Sequence, residues 1–386
     1  MLKASSSRLL VPSAGAMRST TTRRILLLSI SILLAANCCA ELDITGQPVH
    51  HRIILDTDFT VRPPADDAMA FLLALQSPEI EILGITTVAG NYSLEQSTAD
   101  ALRVLEVLGR EDIPVYLGAK RPLVHEASDW DRANYGEWYS DSPPLPPLGA
   151  FAKKPAEKLS AADFIAKTVQ ANAGRITIVA IGPLTNIALA ISSHPGLAKQ
   201  VKALVIMGGA IASLPDGAGN QTPNAEYNFW VDPEAARTVL RSGIPVQLSP
   251  LNVSRKTNFV KKWYDRMVQV DTPVTRLIGQ ILGPQFAEKP ERRWAMFDEV
   301  AVGSLIDPTL VKTQDLFVDV DINHGISYGV SIGGTDIWPG AEGSKRISVQ
   351  YDLDWERFIH LFIARVTSPT RSPQTRNWPD KQQPPN

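Results

Sequence analysis

From Arg52 onward the sequence alternates short apolar runs, of the length of buried strands, with segments of helical periodicity. The first pair is HRIILD at residues 51–56 and a helical pattern at 65–76, and the alternation continues to residues 201–209. This pattern predicts an α/β fold, in which helices flank both faces of a mostly parallel central sheet with a Rossmann-like core. Ligands of such sheets bind beyond the carboxyl ends of the strands, so the residues at these ends are candidates for a functional site.

Five strands and four helices are predicted in this part of the chain. The predicted strands span 51–56, 79–90, 113–118, 175–182 and 201–209, and the predicted helices span 65–76, 94–109, 161–173 and 184–191. The strand ends carry Asp56 and Asp58, then Gly90 and Asn91, then Ile181 and Gly182, and finally Gly208 and Gly209.

The first forty residues differ from the rest. Arg18, Arg23 and Arg24 precede the apolar run at 25–36, and Ala40 is a plausible cleavage position, as in a secretory signal peptide. A run of this length is short for a membrane span, so no stable membrane anchor is expected after cleavage. The sequence therefore predicts a signal peptide at 1–40 and a secreted or periplasmic protein.

Removing this segment changes the chemistry of the chain. Both cysteines, Cys38 and Cys39, lie within it, so the mature protein is expected to have no disulfide. It also carries five basic and no acidic side chains, which takes the formal charge from −2 to −7. Without a basic cluster, a nucleic-acid partner is not expected.

One catalytic domain is predicted at 41–367, followed by a disordered tail at 368–386 that is rich in Pro, Gln, Ser and Arg. Within the domain, the Pro-rich stretch from Pro122 to Pro155 is an unusually long connection that contains several aromatic residues. Long loops inside compact domains are usually functional or disordered, so this stretch is interpreted as a lid or a wall of the site. Its aromatic residues are Trp130, Tyr135, Trp138 and Tyr139.

Four carboxylates, those of Asp56, Asp58, Asp66 and Asp67, fall within twelve residues. Charges this close repel one another unless a cation neutralises them. Oxygen ligands, without cysteine or suitably spaced histidine, favour Ca²⁺ or Mg²⁺ over zinc. A helix cap would explain Asp66 alone, but it does not explain all four.

At this point the chain resembles the inosine-uridine preferring nucleoside hydrolases. The family signature is a strand ending in Asp-x-Asp followed by Asp-Asp at a helix start, and IILDTD with DDAMAF is similar to it. The resemblance covers roughly residues 51–366. Further similar motifs follow in the family's order: TTVAGN, AIGPLTNIALA, VIMGGA, NAEYNFWVDPEAA and MFDEVAV.

The resemblance implies Ca²⁺-dependent hydrolysis of the N-glycosidic bond of a small-molecule ribonucleoside, with Asp58 as general base on a metal-bound water. It also implies a homodimer or homotetramer. The implied metal ligands are Asp58, Asp67, the backbone carbonyl of Ile181 and Asp298, with Asp56 as a brace. The implied substrate contacts are Asp66, Asn91, Asn228 and Met207 at the ribose, Asn220 and Glu226 at its 5′ end, and Phe297 at the base.

The chain departs from the family pattern at two places. Between Asp58 and Asp66 it has seven residues, FTVRPPA, where the family usually has three, so a four-residue insertion with Arg62 and two prolines is expected to loop out. Phe297 stands where many members have a histidine that protonates a purine, and phenylalanine donates no proton. Stacking would then assist the leaving group, with Trp294, Trp138, Tyr135 and Tyr227 as candidates for the other face of the base.

Two other interpretations stay open. ILDTDFT also resembles the nucleophile strand of haloacid-dehalogenase-like phosphatases, which would make Asp56 the nucleophile and Asp58 the acid. Alternatively, the chain is a secreted ribose- or nucleoside-binding protein that has lost catalysis.

Overall fold

A computed structural model describes residues 50–134 and 136–371. The predicted signal peptide and the aromatic residue Tyr135 lie outside the described residues. So do residues 372–386 of the predicted tail. The first residues of that tail are described, and the backbone carbonyl of Ser368 accepts a hydrogen bond of 3.0 Å from Gln76 Nε2.

The α/β prediction is confirmed: a nine-stranded sheet has the order β10-β9-β11-β6-β5-β4-β1-β2-β3. All neighbours from β11 to β3 pair in parallel, and β9 and β10 join the far edge antiparallel. The strands of this sheet are β1 (His51–Thr57), β2 (Ile80–Thr87), β3 (Val115–Leu117), β4 (Ile176–Ala180), β5 (Ala203–Met207), β6 (Val246–Ser249), β9 (Val311–Val320), β10 (Ser331–Gly334) and β11 (Lys345–Leu353). A separate two-stranded ribbon pairs β7 (Phe259–Val260) with β8 (Arg293–Trp294).

The α-helices of the described residues cover both faces of the sheet. They are α1 (Asp66–Gln76), α2 (Leu94–Val107), α3 (Asp129–Asn134), α4 (Ala161–Ala171), α5 (Thr185–Ser193), α6 (Tyr227–Val231), α7 (Pro233–Leu240), α8 (Leu251–Ser254), α9 (Lys261–Val268), α10 (Pro273–Glu288), α11 (Asp298–Ile306) and α12 (Trp355–Val366). None of these helices is long and apolar enough to cross a membrane.

Two large apolar clusters hold the layers together. One packs the buried sides of α1, α10, α11 and α12 against the sheet, and the other packs α4, α5 and α7 against the opposite face. Strand β1 lies between β2 and β4, and its residues from Ile53 to Thr57 are buried, because both faces of a parallel sheet are covered. The chain following β1 therefore leaves the sheet from an interior strand, the third from the β3 edge.

The insertion of residues 59–65 does not lie loosely in solvent. Phe59 and Val61 are buried in the apolar core, and Phe59 packs edge-to-face on Phe71 of α1 with ring centroids 5.8 Å apart. Only Pro63 and Pro64 are exposed. Of the four inserted residues predicted to loop out, which include Arg62 and two prolines, the prolines are exposed, whereas Phe59 and Val61 anchor the start of the loop in the core.

The long connection between Pro122 and Pro155 is partly ordered into secondary structure. It contains α3 and a 3₁₀ turn at Pro147–Gly149. Trp138 is buried in a small satellite cluster with Trp230 and Leu94, so this stretch is packed against the domain. Trp130, by contrast, is 56% exposed.

Candidate active site and metal site

A cavity of about 540 Å³ opens at the carboxyl ends of the central strands. It lies where the sequence placed the site, because parallel strands deliver their following loops to the same edge. Its walls combine site residues from the strand ends with residues of the insertion and of the long connection. The lining residues are Pro63, Pro64, Asp66, Asn91, Tyr92, Arg132, Ala133, Asn134, Gly136, Glu137, Tyr139, Ile181, Met207, Asn220, Gln221, Glu226, Tyr227, Asn228, Phe297 and Asp298.

Three carboxylates meet at this cavity, and two of them, those of Asp66 and Asp298, line it. One carboxylate oxygen from each of Asp66, Asp67 and Asp298 lies within 4.8 Å of the others. Asp66 and Asp67 open helix α1, Asp298 opens α11, and these two helices pack against each other. The N-terminus of a helix carries partial positive charge, which favours carboxylates in its first turn. Two helix starts therefore bring together acids that are more than two hundred residues apart in the chain.

Asp58 lies beside this group, directly after β1. It is 1% exposed, and its Oδ2 accepts a hydrogen bond of 2.6 Å from the backbone N–H of Asn91. Its Oδ1 accepts none from the described residues. A Cβ at Gly90 would lie 2.2 Å from Oδ2, and one at Gly182 would lie 2.7 Å from Oδ1. Two glycines thus make room for this carboxylate.

Asn91 joins Asp58 to Asp67. Its backbone holds Asp58, while its side-chain Nδ2 donates a hydrogen bond of 3.1 Å to Asp67 Oδ2. The other oxygen of Asp67 accepts a hydrogen bond from Thr57 Oγ1. Asp67 is therefore held from both sides by residues outside the insertion.

Asp56 has a supporting position and does not line the cavity. It is fully buried, and its Oδ2 accepts hydrogen bonds of 2.5 Å from Thr86 Oγ1 and 2.8 Å from Asn186 Nδ2. Asn186 also donates to the Thr87 carbonyl at 3.0 Å and accepts from the backbone of Ala119 at 2.7 Å. These bonds tie β1 to β2 and α5 behind the carboxylate cluster.

The clustered acids resist ionisation in the absence of a cation. Burial, with a smaller contribution from the charge of Asp66, raises the pKa of Asp58 to about 7. Burial raises the pKa of Asp66 to about 6. Burial and neighbouring carboxylates raise the pKa of Asp67 and of Asp298 well above the usual range. Shifts of this kind mark a functional site, because structural acids are normally paired with donors or cations.

The residues present fit a hard divalent cation. Oδ1 of Asp58 and Oδ1 of Asp66 are both buried, and neither has a hydrogen-bond partner within the described residues. All donors in this cluster are oxygens, as Ca²⁺ and Mg²⁺ prefer. The grouping of three differs from the predicted ligand set, since it includes Asp66 and Asp58 stands beside it.

Amide and carbonyl groups line the next part of the cavity. Asn228 Nδ2 donates to the carbonyl oxygens of Ile181 at 3.2 Å and Met207 at 3.3 Å. Glu226 caps helix α6: its two carboxylate oxygens accept from the backbone N–H groups of Asn228, Phe229 and Gly209 at 2.9–3.1 Å. Asn220 Oδ1 accepts from the Tyr227 backbone at 2.9 Å. All the substrate-contact residues predicted from the sequence line this one cavity.

The predicted aromatic contacts are only partly brought together. Tyr139 and Tyr227 line the cavity, whereas Trp138 is buried in the satellite cluster. Trp294 instead lines a second, apolar cavity of about 40 Å³ beyond Phe297. The spacing of residues in the sequence does not indicate which aromatic residue of a long connection faces the site.

Several lining residues were not singled out in the sequence. Tyr92, Arg132 and Glu137 reach the cavity, and the hydroxyl of Tyr227 donates to the carbonyl of Gly90 at 2.8 Å. Tyr92 directly follows Asn91, so its nearness to a strand end was the one available signal. Arg132 and Glu137 come from the long connection, whose path the sequence does not specify.

A parallel sheet with an acidic, amide-lined cavity beyond its strand ends defines an enzyme site for a small polar ligand. The chain belongs to the inosine-uridine preferring nucleoside hydrolase family, whose model matches residues 53–360. It is therefore a nucleoside N-ribohydrolase, an enzyme that cleaves the bond between ribose and base. This confirms the resemblance found in the sequence.

Individual relatives agree with the family assignment. The chain is 35% identical to a pyrimidine-specific ribonucleoside hydrolase (RihA) of Escherichia coli over 319 residues, covering 81% of this chain and 97% of the relative. Among solved structures, a plant nucleoside hydrolase superposes with a TM-score of 0.70 at 28% identity, covering 83% of this chain and 99% of that one. A purine-preferring ribonucleoside hydrolase from Gardnerella vaginalis gives 0.67 at 28% identity, covering 82% and 98%.

The family assignment sets aside both other interpretations of the sequence. Asp56, the nucleophile in the phosphatase interpretation, is buried and hydrogen-bonded away from the cavity. The family and the Escherichia coli relative are both named as hydrolases, which argues against a protein that binds nucleosides without cleaving them.

Proposed function

We propose that the chain hydrolyses ribonucleosides to free base and ribose in a Ca²⁺-dependent reaction, with Asp58 as the general base. One observation carries this proposal. Asp58 has one oxygen fixed by the Asn91 backbone and one without a partner among the described residues, next to three converging carboxylates. A carboxylate that is fixed at one oxygen and available at the other suits proton abstraction from a positioned water.

The cation would be held by Asp67, Asp298, Asp58 and the carbonyl of Ile181. Asp66 also belongs to the same cluster, which supports its role toward a ribose hydroxyl or the ion. When bound, a divalent cation would supply Lewis-acid activation of a water and positive charge beside the ribose hydroxyls. The carboxylate of Asp58 would then ionise more readily, because an opposite charge favours the ionised form.

The protein's own residues would carry the remaining steps. The bond between ribose C1′ and the base nitrogen breaks as a water oxygen bonds to C1′, and Asp58 takes the proton of that water. Positive charge develops on the ribose ring in the transition state, and the surrounding carboxylates stabilise it. Asn91, Asn228 and Met207 would orient the ribose, and Asn220 with Glu226 would hold its 5′ end.

The departing base leaves with the electron pair of the broken bond and takes up one proton, which solvent water would supply because Phe297 donates none. Phe297 lines the cavity and can stack on a base, which favours protonation of a purine ring. Tyr139 and Tyr227 supply further aromatic surface in the same cavity. Relatives with opposite preferences, one named pyrimidine-specific and one purine-preferring, support testing both classes of base.

The test is a panel of purine and pyrimidine ribonucleosides assayed for released ribose, with metal-free enzyme and after Ca²⁺ is added back. Asp58→Asn is expected to reduce kcat by about a thousandfold or more, since it removes the general base. Asp315→Asn is the matched control, because Asp315 is an exposed residue of β9. Release that is unchanged in metal-free enzyme, or in Asp58→Asn, would refute the proposal.

We further propose that the enzyme is exported and acts as a homodimer or homotetramer outside the cytoplasm. The basic and apolar pattern of residues 1–40 supports export. N-terminal sequencing of the mature protein tests it, with a start near Glu41 expected and an intact Met1 contradicting it. Light scattering of the purified protein tests the assembly.

A further inference from the structure

The insertion at residues 59–65 forms one wall of the nucleoside cavity. Its Pro63 and Pro64 line the cavity immediately before Asp66. Tyr92 lines the same wall, and its hydroxyl lies 3.4 Å from the carbonyl oxygen of Pro63. The position of this wall therefore affects how tightly a nucleoside fits.

A buried carboxylate on helix α2 holds the insertion in place. Asp100 is fully buried, and its Oδ2 accepts a hydrogen bond of 3.0 Å from the Val61 backbone. Arg62 Nη1 contacts both oxygens of Asp100, at 3.1 and 3.0 Å. The Arg62 guanidinium also lies 5.7 Å from the centre of the Tyr92 ring. Arg62 thus pairs with the buried charge of Asp100 and also packs beside Tyr92 of the cavity wall.

The same carboxylate is linked to the long connection through Gln96. Gln96 Nε2 donates to Asp100 Oδ1 at 2.7 Å and to the carbonyl of Leu145 at 3.1 Å. Its Oε1 accepts from the Leu145 backbone N–H at 2.7 Å. Leu145 belongs to the long connection that contributes Arg132 and Tyr139 to the cavity. The Asp100 network therefore links the insertion to the long connection, and both segments contribute residues to the cavity.

We propose that Arg62 is a positioning residue for substrate binding, which pairs with Asp100 to fix the Pro63–Pro64 wall of the cavity. The reading of this wall as a nucleoside contact rests on the proposed function. The chemical step is expected to be spared, because Thr57 and Asn91 hold Asp67 independently of the insertion. Losing Arg62 should then weaken binding and leave the rate of the bound complex nearly unchanged.

The experiment compares Arg62→Ala, Arg62→Lys and Arg103→Ala with the wild type. Arg103→Ala is the matched control, since it removes an arginine–carboxylate pair on the same helix, with Glu106, away from the insertion. Arg62→Ala should raise KM about tenfold with kcat within about twofold, the signature of lost uniform binding. Arg62→Lys should return KM to within about threefold of the wild type, because one nitrogen makes both contacts to Asp100.

Amide hydrogen exchange measures, without any substrate, how firmly Asp100 holds the backbone of the insertion at Val61. The Val61 amide should exchange faster in Arg62→Ala, and should be unchanged in Arg62→Lys and Arg103→Ala. Calorimetry should show about tenfold weaker ribonucleoside binding in Arg62→Ala. A wild type that binds but does not hydrolyse would refute the proposed function and leave this comparison intact.

Four results would overturn the positioning role. They are an unchanged KM in Arg62→Ala, a lower kcat at unchanged KM, failure of Arg62→Lys to restore either KM or exchange, and a wild type that binds no ribonucleoside.

Discussion

Removing the cation should make the stability of this enzyme depend strongly on pH. In the metal-free protein, burial raises the pKa of Asp58 to about 7 and that of Asp66 to about 6, from an ordinary value of 3.8. An acid with a raised pKa binds its proton more tightly in the folded state than in the unfolded one. Its contribution therefore stabilises the fold at low pH and is lost as the pH rises from about 4 to about 7.

The size of this change in the free energy of unfolding follows from the pKa shift of Asp58. Each pKa unit corresponds to about 1.4 kcal/mol, so the two units between pH 5 and pH 7 correspond to about 2.7 kcal/mol. A bound cation removes this penalty because it favours the ionised carboxylates. The stabilisation given by one fixed Ca²⁺ concentration should therefore be about 3 kcal/mol larger at pH 8 than at pH 5.

The assay is urea unfolding followed by tryptophan fluorescence, at pH 5 and pH 8, with metal-free protein and with added Ca²⁺. Comparing the two forms at the same pH cancels other titrations, such as that of His51, whose pKa burial lowers to about 4. Asp58→Asn should shrink the pH dependence, and the exposed control Asp315→Asn should keep it. Equal stabilisation by Ca²⁺ at both pH values would refute the reasoning.

Three further predictions concern the site and its support. Gly90→Ala should lower kcat about a hundredfold, because the new Cβ would lie 2.2 Å from Asp58 Oδ2 and displace that carboxylate. The control Gly279→Ala should leave steady-state kinetics unchanged, because the atom nearest to its new Cβ would be 3.8 Å away. Asn186→Ala should lower the free energy of unfolding in urea by about 2 kcal/mol, because the buried carboxylate of Asp56 loses a donor; an unchanged midpoint would contradict this. In ribose-release assays, 2′-deoxyribonucleosides should show kcat/KM at least about tenfold below that of ribonucleosides, since one chelating hydroxyl is missing; equal values would argue against metal chelation of the diol.

The first five strands of the parallel part, β1 to β5, were readable because buried strands and helices have distinct apolar periods. The predicted strand at 79–90 extends past its observed end at Thr87, since the apolar pattern continues into the loop that carries Asn91. Strands β6, β9, β10 and β11 were not predicted. β9 begins with exposed polar residues, and β10 has only four residues, two of them glycine.

The carboxylates near β1 were readable as a cluster, but their meeting with Asp298 was not. Nothing in local spacing reports that the starts of α1 and α11 lie side by side, and only the family resemblance indicated it. The resemblance assigned Glu226 to the substrate but did not indicate that it also caps helix α6. No local pattern pointed to this role, because glutamate is not among the preferred capping residues.

The insertion illustrates a signal that was present but not used. Phe59 and Val61 alternate with polar residues, a pattern that favours burial of one side of a segment. Both side chains are buried in the structure. The guanidinium of Arg62, between Val61 and Pro63, pairs with the carboxylate of Asp100 on helix α2. Pairing of this kind depends on tertiary contacts, which the residues of one segment do not specify.

Direct binding of Ca²⁺ to the metal-free protein, measured by calorimetry near neutral pH, tests the central claim most directly. The account predicts one site per chain, lost or strongly weakened both in Asp67→Asn and in Asp298→Asn and retained in Asp315→Asn. Undiminished binding in either of the first two variants, or no binding by the wild type, would contradict the convergence of these carboxylates on one ion.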